Sequence, residues 1–559
     1  MEYIIGLGII LFILYKLGNS ESKEGINDTP KPIPTVKPKP KFVLTKEFEE
    51  ILRILKNSSD SIFITGKAGT GKTSLLKHFI KRTNKKYVIL APTGIAALNV
   101  SGQTIHSFFR FPPKTINTDD IEPNYVRAGM FGKLEMVIID EISMVRADLM
   151  HGIDYSLRIN RNRLNEPFGG VQMVFIGDLF QLPPVLTDRD RNHILSTYGG
   201  QYFFDAPAFS NYSYHFKELT KVFRQSESET KFKNLLNNVR ENEVGFDDMV
   251  LLNSRHIDNA GKQDNAIFLT TRRNIARNIN NEKLNLLPTQ QYVYKGELSG
   301  KYIRLRDESE EKLENKLPAP YNLKLKVGVQ IMMLKNDAGK RWVNGTIGKV
   351  SELNAESIIV DINGRKHSVE KEIWKEVEYV LNQQTDEFEE KIIAGFIQYP
   401  IRLSYAMTIH KSQGKTFEKV TVDVGTGAFA HGQVYVALSR CTTLKGIILN
   451  NPIGNNDIIV DPRIVEYYTN RSTPSSVQII ETPRHLNVQQ IIRGAIEANN
   501  KVKIKYEKYN GETSIRELSQ LQVSNEYSSD EKHIKAYCHL RNEERNFKIS
   551  RIRSIEIIK

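Results

Sequence analysis

Disulfide-forming sequence is nearly absent. Two cysteines, Cys441 and Cys538, stand far apart in 559 residues, too few for a disulfide framework or a zinc cluster, so the simple inference is a reducing compartment. No apolar run reaches the ~20 residues that a membrane span normally needs. The longest, residues 3–15, is closed by Lys16, has no basic segment ahead of it, and is followed by Asn19-Ser20, a poor cleavage site. A short single-pass anchor fits it best, with an uncleaved signal-like segment and a buried helix as the alternatives. As an anchor it would associate the chain with the inner face of a membrane, and Lys16 and Lys23 would keep the rest in the cytoplasm. No repeat of solenoid length is evident. No His or Cys set has metal-ligand spacing, and no carboxylate cluster beyond one acidic pair suggests a nuclease.

Acidic residues are also short. There are 78 Lys and Arg against 65 Asp and Glu, a formal net charge of +13. That excess points to a polyanionic partner, nucleic acid or an anionic membrane surface; a Lys-rich solvated surface is the plainer alternative. Hydrophobic residues make up 40%, enough for packed cores, and the length suggests three to four domains.

Residues 29–40, TPKPIPTVKPKP, form neither helix nor central strand and read as an extended linker between 19 and 41. From residue 42 onward, short apolar runs alternate with amphipathic stretches: 61–65 (SIFIT), 87–90 (YVIL), 136–139 (MVII) and 171–176 (VQMVFI). This predicts an α/β fold, a parallel sheet with helices on both faces. A second such region is expected over 216–470, with strands at 266–270 and 419–424. A β-rich insertion interrupts it at about 293–399. After a linker at 471–485, a C-terminal module covers 486–559.

The stretch Gly66-Lys67-Ala68-Gly69-Thr70-Gly71-Lys72-Thr73 follows a predicted strand and opens a predicted helix. Its glycines let backbone N–H groups turn toward a phosphate at a helix N-terminus. Lys72 is positioned for the β- and γ-phosphates, and the Thr73 hydroxyl for Mg²⁺. A chance Gly-rich turn is the competing reading, and its context argues against it. Residues 136–139 then set Asp140 and Glu141 at the C-terminal end of a buried strand. Two adjacent carboxylates there need a cation. Asp140 would hold the Mg²⁺ through its waters, and Glu141 would orient or deprotonate the attacking water.

Seven stretches in order resemble the superfamily-1 type B helicases, the PIF (petite integration frequency) helicases and their RecD-like relatives. They are GKAGTGKTS at 66–74, APTGIAALNVSGQTIHSFF at 91–109, IIDEISMV at 138–145, GDLFQLPPV at 177–185, LTKVFRQ at 219–225, MTIHKSQGKTF at 407–417 and GQVYVALSRCT at 432–442. The likeness covers about 42–470. It implies two RecA-like domains, an SH3-like inserted module and a small wedge near 111–130. The implied activity is ATP-dependent stepping along single-stranded DNA from 5′ to 3′, with forked or structured DNA as substrate. Work in DNA repair, recombination and telomere maintenance goes with it, by a monomer needing no obligate protein partner. The resemblance also implies nucleotide contacts at Gly66, Ala68, Gly69, Thr70, Gly71, Ser74, Gln413 and Gly414. It makes Gln181 the γ-phosphate sensor, and Arg224 and Arg440 arginine fingers from the second domain. Strand contacts are implied at Thr93, Gly94, His106, Phe108, Thr408, His410, Lys411 and Ser412. Phe108 has a core reading beside the stacking one. One departure stands out: the family's usual adenine-reading Gln is replaced by Phe48.

Residues 489–559 resemble a WYL domain, through RGAIEANNKVKIKY at 493–506, IRELSQLQV at 515–523 and IKAYCHLRNEERNFKISRIRSI at 534–555, though the naming triplet is not kept. A small Sm-like β-barrel that binds nucleic acid or a nucleotide-like ligand is implied. Arg516, Tyr537, Arg541, Arg545, Phe547 and Arg551 bring basic and aromatic groups together; barrel core and solvated arginines are the alternative. A second reading of the whole chain is a membrane-tethered nucleic-acid sensor, switched by ATP and without processive unwinding.

Overall fold

The computed structural model describes residues 44–472 except 211, 259–265 and 426, and beyond them 492, 495–496, 500–507, 513–524 and 533–558. The apolar run at 3–15, the Pro-rich linker and most of the linker expected at 471–485 lie outside the described residues. The chain divides into two compact units, one ending at Ile459 and one beginning at Val460.

The first sheet contains β1 (Ile62–Gly66), β2 (Tyr87–Ala91), β3 (Gln103–Thr104), β4 (Met136–Ile139), β5 (Gln172–Ile176) and β6 (His215–Leu219). Its order is β3-β2-β4-β5-β1-β6, all parallel. The central strands β1, β4 and β5 are buried along their whole length, which is why they read as unbroken apolar runs. The edge strand β6 carries His215, Lys217 and Glu218 and is mostly half-exposed. Its polar sequence hid its membership: the second region was expected to begin at 216, yet β6 pairs with β1 from Ile62↔His215 to Gly66↔Leu219.

The second sheet has the order β8-β7-β9-β10 and is also parallel, from β7 (Ile267–Thr270), β8 (Ala406–Thr408), β9 (Val420–Asp423) and β10 (Ile447–Leu449). Between β7 and β8 lies the insertion. Gln330–Met333, Ile347–Leu353, Ile358–Ile362, Arg365–Val369 and Ile401–Leu403 build a five-stranded antiparallel sheet around Ile331, Met333, Val350, Val360 and Ile401. A long hairpin, Glu372–Leu381 with Phe388–Gln398, leaves this module and reaches the first sheet. There the Ile89 N–H donates to the Tyr379 hydroxyl at 3.3 Å, and Arg127 Nη2 donates to the Tyr379 carbonyl at 2.7 Å. At its tip, Asp386 pairs with Lys86 and Lys133.

In the second unit, Glu543–Lys548, His533–Cys538, Thr513–Ser524, Lys501–Glu507 and Ile552–Ile558 follow one another in an antiparallel sheet. Its core includes Val502, Ile504, Leu518, Ile534, Cys538 and Phe547. Phe547 packs edge-on against Tyr506, and Arg516 is buried, its Nε donating to Ser514 Oγ. Those two serve the core, while Arg541 and Arg545 are exposed.

Candidate nucleotide cleft and strand surface

The loop after β1 turns through Gly66, Gly69 and Gly71, with φ of 143°, 87° and 87°. Side chains are excluded by strain and by contact. A Cβ on Gly66 would lie 2.5 Å from the Leu219 carbonyl, and one on Gly69 2.5 Å from Arg224 Cβ. The helix Lys72–Ile80 starts at this loop. Lys72 Nζ donates to the Gly66 and Lys67 carbonyls at 2.5 and 3.2 Å, and burial lowers its pKa. Opposite, burial and then Glu141 push the Asp140 carboxyl up to about 7, and burial also raises Glu141. Glu141 has φ 51° and ψ 45°, a strained left-handed conformation of the kind that clusters at functional sites.

A cleft of about 530 Å³ is lined by the loop residues 68–74, Asp140, Glu141, Gly177 and Gln181 from the first sheet's side. From the other side come Gly414, Thr416 and Arg440, with Phe48, Phe223 and Arg224 completing it. Arg440 is 1% exposed, its Nε donating to the Val436 carbonyl and Nη2 to Ser439 Oγ. Burial, then Arg224, lowers its pKa. Arg224 is corrected in origin: it follows β6 directly, in the connector whose Phe223 N–H donates to the Gly69 carbonyl at 2.9 Å. It reaches across, Nη1 to the Ser439 carbonyl at 3.0 Å. Gln413 is not among the lining residues; its Nε2 is buried without a hydrogen-bond partner.

Sequence reasoning missed the contacts that join the two sheets. Asp178 accepts from Gln181 Nε2 (3.3 Å), from the Tyr435 hydroxyl (3.3 Å) and from Arg240 Nη2 (3.4 Å). The same Tyr435 hydroxyl accepts from the Ala68 N–H at 3.0 Å. Arg240 also stands 4.1 Å from the Phe180 ring centroid. Gly432, at φ 72°, packs so close that a Cβ would lie 2.4 Å from the Phe180 carbonyl. The glycine opening GQVYVALSR was the one signal in the sequence for this close approach.

The expected strand contacts divide. Thr93 and Gly94 are exposed at the start of the helix Gly94–Asn99, with the Thr93 hydroxyl accepting from the Ala96 N–H. His106 and His410 are half-buried, and burial lowers both pKa values. Thr408 caps the turn Ile409–Ser412, accepting from the Lys411 N–H. Burial brings the Lys411 ammonium down to about 8, and Glu314 lies 3.8 Å away. Two of these residues are fully buried. Ser412 is fully buried, its Oγ donating to the Ile409 carbonyl. Phe108 is fully buried among Phe109, Phe131 and Tyr379 and presents no face for a base. Phe108→Ala is therefore expected to cost about 3–5 kcal/mol of stability, read by chemical denaturation. An unchanged denaturation midpoint with weaker DNA binding would return Phe108 to the strand surface.

A phosphate loop on one parallel sheet, faced by the buried Arg440 beside a second and by Arg224 from the connector after β6, defines a nucleotide-handling protein with paired RecA-like domains. The PIF1-like helicase family model matches residues 43–249, the 2B domain of DNA helicase Pif1 matches 308–353, and the WYL domain matches 487–557. The ATP-dependent DNA helicase Pif1 of Bdellovibrio bacteriovorus is 33% identical, covering 76% of this chain and 91% of its own length. Human ATP-dependent DNA helicase PIF1 is 32% identical, over 78% and 64%. The chain belongs to the PIF1-like helicase family and carries a C-terminal WYL domain. Unliganded Bacteroides Pif1 superposes with a TM-score of 0.70 at 36% identity, over 78% of this chain and 98% of that one. For the same protein bound to single-stranded DNA the score is 0.55 at 37% identity, over 77% and 98%. The complex of that protein with ADP-AlF4 also superposes at 0.70, so the higher score is shared by the unliganded and the nucleotide-bound forms.

Proposed function

We propose that this chain is an ATP-dependent DNA helicase that translocates 5′ to 3′ on single-stranded DNA. One observation carries the reading. Lys72, Arg224 and Arg440 are desolvated cations converging on one cleft from both sides, an arrangement that a triphosphate completes and that domain movement can make and break. Lys72 then exchanges its loop carbonyls for β- and γ-phosphate oxygens, and the N–H groups of 68–74 cradle the chain of phosphates. Gln181 and Glu141 orient the attacking water, Glu141 taking its proton, while Arg224 and Arg440 stabilise the charge that develops.

A divalent cation fits this site, because two adjacent buried carboxyls, both raised by burial, have Lys72 as their principal cationic neighbour, and Lys72 is already engaged by loop carbonyls. Thr73 and Asp140 would hold Mg²⁺. Among the described residues no group of three or more His, Cys, Asp and Glu side chains could hold a metal, in keeping with an ion bound mainly by phosphates and water. When bound, it neutralises the charge of the triphosphate.

Thr93, Gly94, His106, Thr408, His410 and Lys411 form the strand surface, with Phe108 and Ser412 behind it. In the present arrangement Glu314 stands where a phosphate would meet Lys411 and, at 3.9 Å, Arg277. Tyr125 and Val126, 84% and 88% exposed, tip the wedge that meets a forked duplex. The free, buried thiols Cys441 and Cys538 accord with a cytoplasmic setting. No observation favours the membrane-tethered sensor.

The test is unwinding of 5′-tailed and 3′-tailed duplexes by the full chain with ATP and Mg²⁺, with Lys72→Ala as control. Opening of the 5′-tailed duplex alone, abolished in the variant, is the expected result; opening led by the 3′ tail overturns the polarity. Single-strand-stimulated hydrolysis without unwinding overturns the helicase reading.

A further inference from the structure

The cleft has a phosphate end crowded with polar groups and another end that is almost bare of them. Away from the phosphate loop, Lys72, the acidic pair, Gln181 and the two arginines, the lining consists of Phe48, Phe223, Gly414 and Thr416. The two aromatic rings flank the point where the loop enters its helix. A Cβ on Gly71 would lie 3.3 Å from Phe48 Cζ and 3.6 Å from the Phe223 ring. Their centroids are 6.3 Å apart, tilted by 37°. Phe48 is 2% exposed and walls the end, whereas Phe223 is 43% exposed and offers a ring face.

The polar groups beside this wall are already committed. The Phe48 N–H donates to Thr45 Oγ1, and the Glu47 carboxylate accepts from both the N–H and the hydroxyl of Thr220. Lys221, whose Nζ lies 5.6 Å from the Phe223 ring, lines a different hollow. Among the described residues that line the cleft outside the phosphate machinery, the Thr416 hydroxyl remains, which donates or accepts by rotation. Adenine and guanine differ in their edges: the first presents an amino donor and a ring-nitrogen acceptor where the second presents a keto acceptor and an N–H donor. Telling them apart requires a fixed donor or acceptor that one base satisfies and the other leaves unpaired. Ring faces do not discriminate, because every base has a π-face.

We propose that this cleft recognises its nucleotide by triphosphate and by ring stacking, and that the chain uses GTP as a fuel on a par with ATP. Phe48 and Phe223 are the residues that set this breadth. The proposal rests on the nucleotide-driven helicase reading above and specifies its substrate class.

The experiment takes the full chain with Mg²⁺ and saturating oligothymidine, and measures phosphate release over a range of ATP and of GTP. Because stacking strengths of the two purines are similar, kcat/KM for GTP is expected within about fivefold of that for ATP. Phe223→Leu keeps the bulk, removes the stacking face, and raises KM for both nucleotides alike. Phe48→Gln introduces an amide able to pair with the adenine edge, and moves the ratio toward ATP by about tenfold or more. A wild-type preference for ATP of about fiftyfold or more shows an edge reader and overturns the proposal. So does a Phe223→Leu loss confined to one nucleotide. Competition of ADP against GDP for a fluorescent nucleotide needs no turnover and no variant. Equal displacement with no hydrolysis sustains the base-tolerant slot while defeating the motor reading; strong ADP and weak GDP displacement defeats the slot itself.

Discussion

Arg440→Ala is expected to lower the DNA-stimulated kcat for ATP by about 10³-fold or more, the range in which arginine fingers act, with ADP affinity changed far less. The guanidinium is fully buried and held from behind, Nε on the Val436 carbonyl and Nη2 on Ser439 Oγ, which leaves Nη1 for the cleft. Its neighbours are another cation, Arg224, and the carboxylate of Glu141. A group desolvated beside a like charge gains most when negative charge builds up in front of it, and that occurs in the transition state rather than in bound ADP. Arg440→Lys fails as well, because an ammonium cannot keep the Nε bond and reach forward together. Steady-state phosphate release with saturating single strand, set beside nucleotide binding, reads the split. A kcat for Arg440→Ala within about tenfold of wild type would falsify the assignment.

Glu141→Gln should retain nucleotide binding and lose kcat by about 10²–10⁴-fold, the usual contribution of a positioned general base. The amide keeps the shape and cannot take a proton. Loss of activity through unfolding is separable from this. Asp140 and Glu141 repel each other in a buried setting, so removing one charge relieves the pair. The variant is accordingly expected to melt at or above the wild-type temperature when both are scanned without Mg²⁺. A variant that melts markedly lower, or that hydrolyses ATP at an undiminished rate, would place the base elsewhere.

The chemistry of the cleft was readable because it is local in sequence. Eight consecutive residues build the phosphate loop, and four apolar residues carry Asp140 and Glu141 to a strand end. The central strands were readable because burial on both faces leaves a continuous apolar run. His215–Leu219 escaped because an edge strand keeps polar residues, and with it the true origin of Arg224, one connector beyond that strand. Phe108 illustrates a different limit: its motif says that an aromatic belongs there, while its depth depends on Phe131 and Tyr379, the latter 271 residues away and on the inserted hairpin. Arg240 was illegible for the same reason, and for Tyr435 the nearby Gly432 hinted at a close approach without naming Asp178 as the partner.

One buried carboxylate, that of Asp178, is the point at which Gln181, Tyr435 and Arg240 are fastened together. Hydrogen bonds of this kind lose their strength over a fraction of an ångström, and they share a single pivot, so they slip together. A movement that breaks one of these bonds therefore bears on the other two.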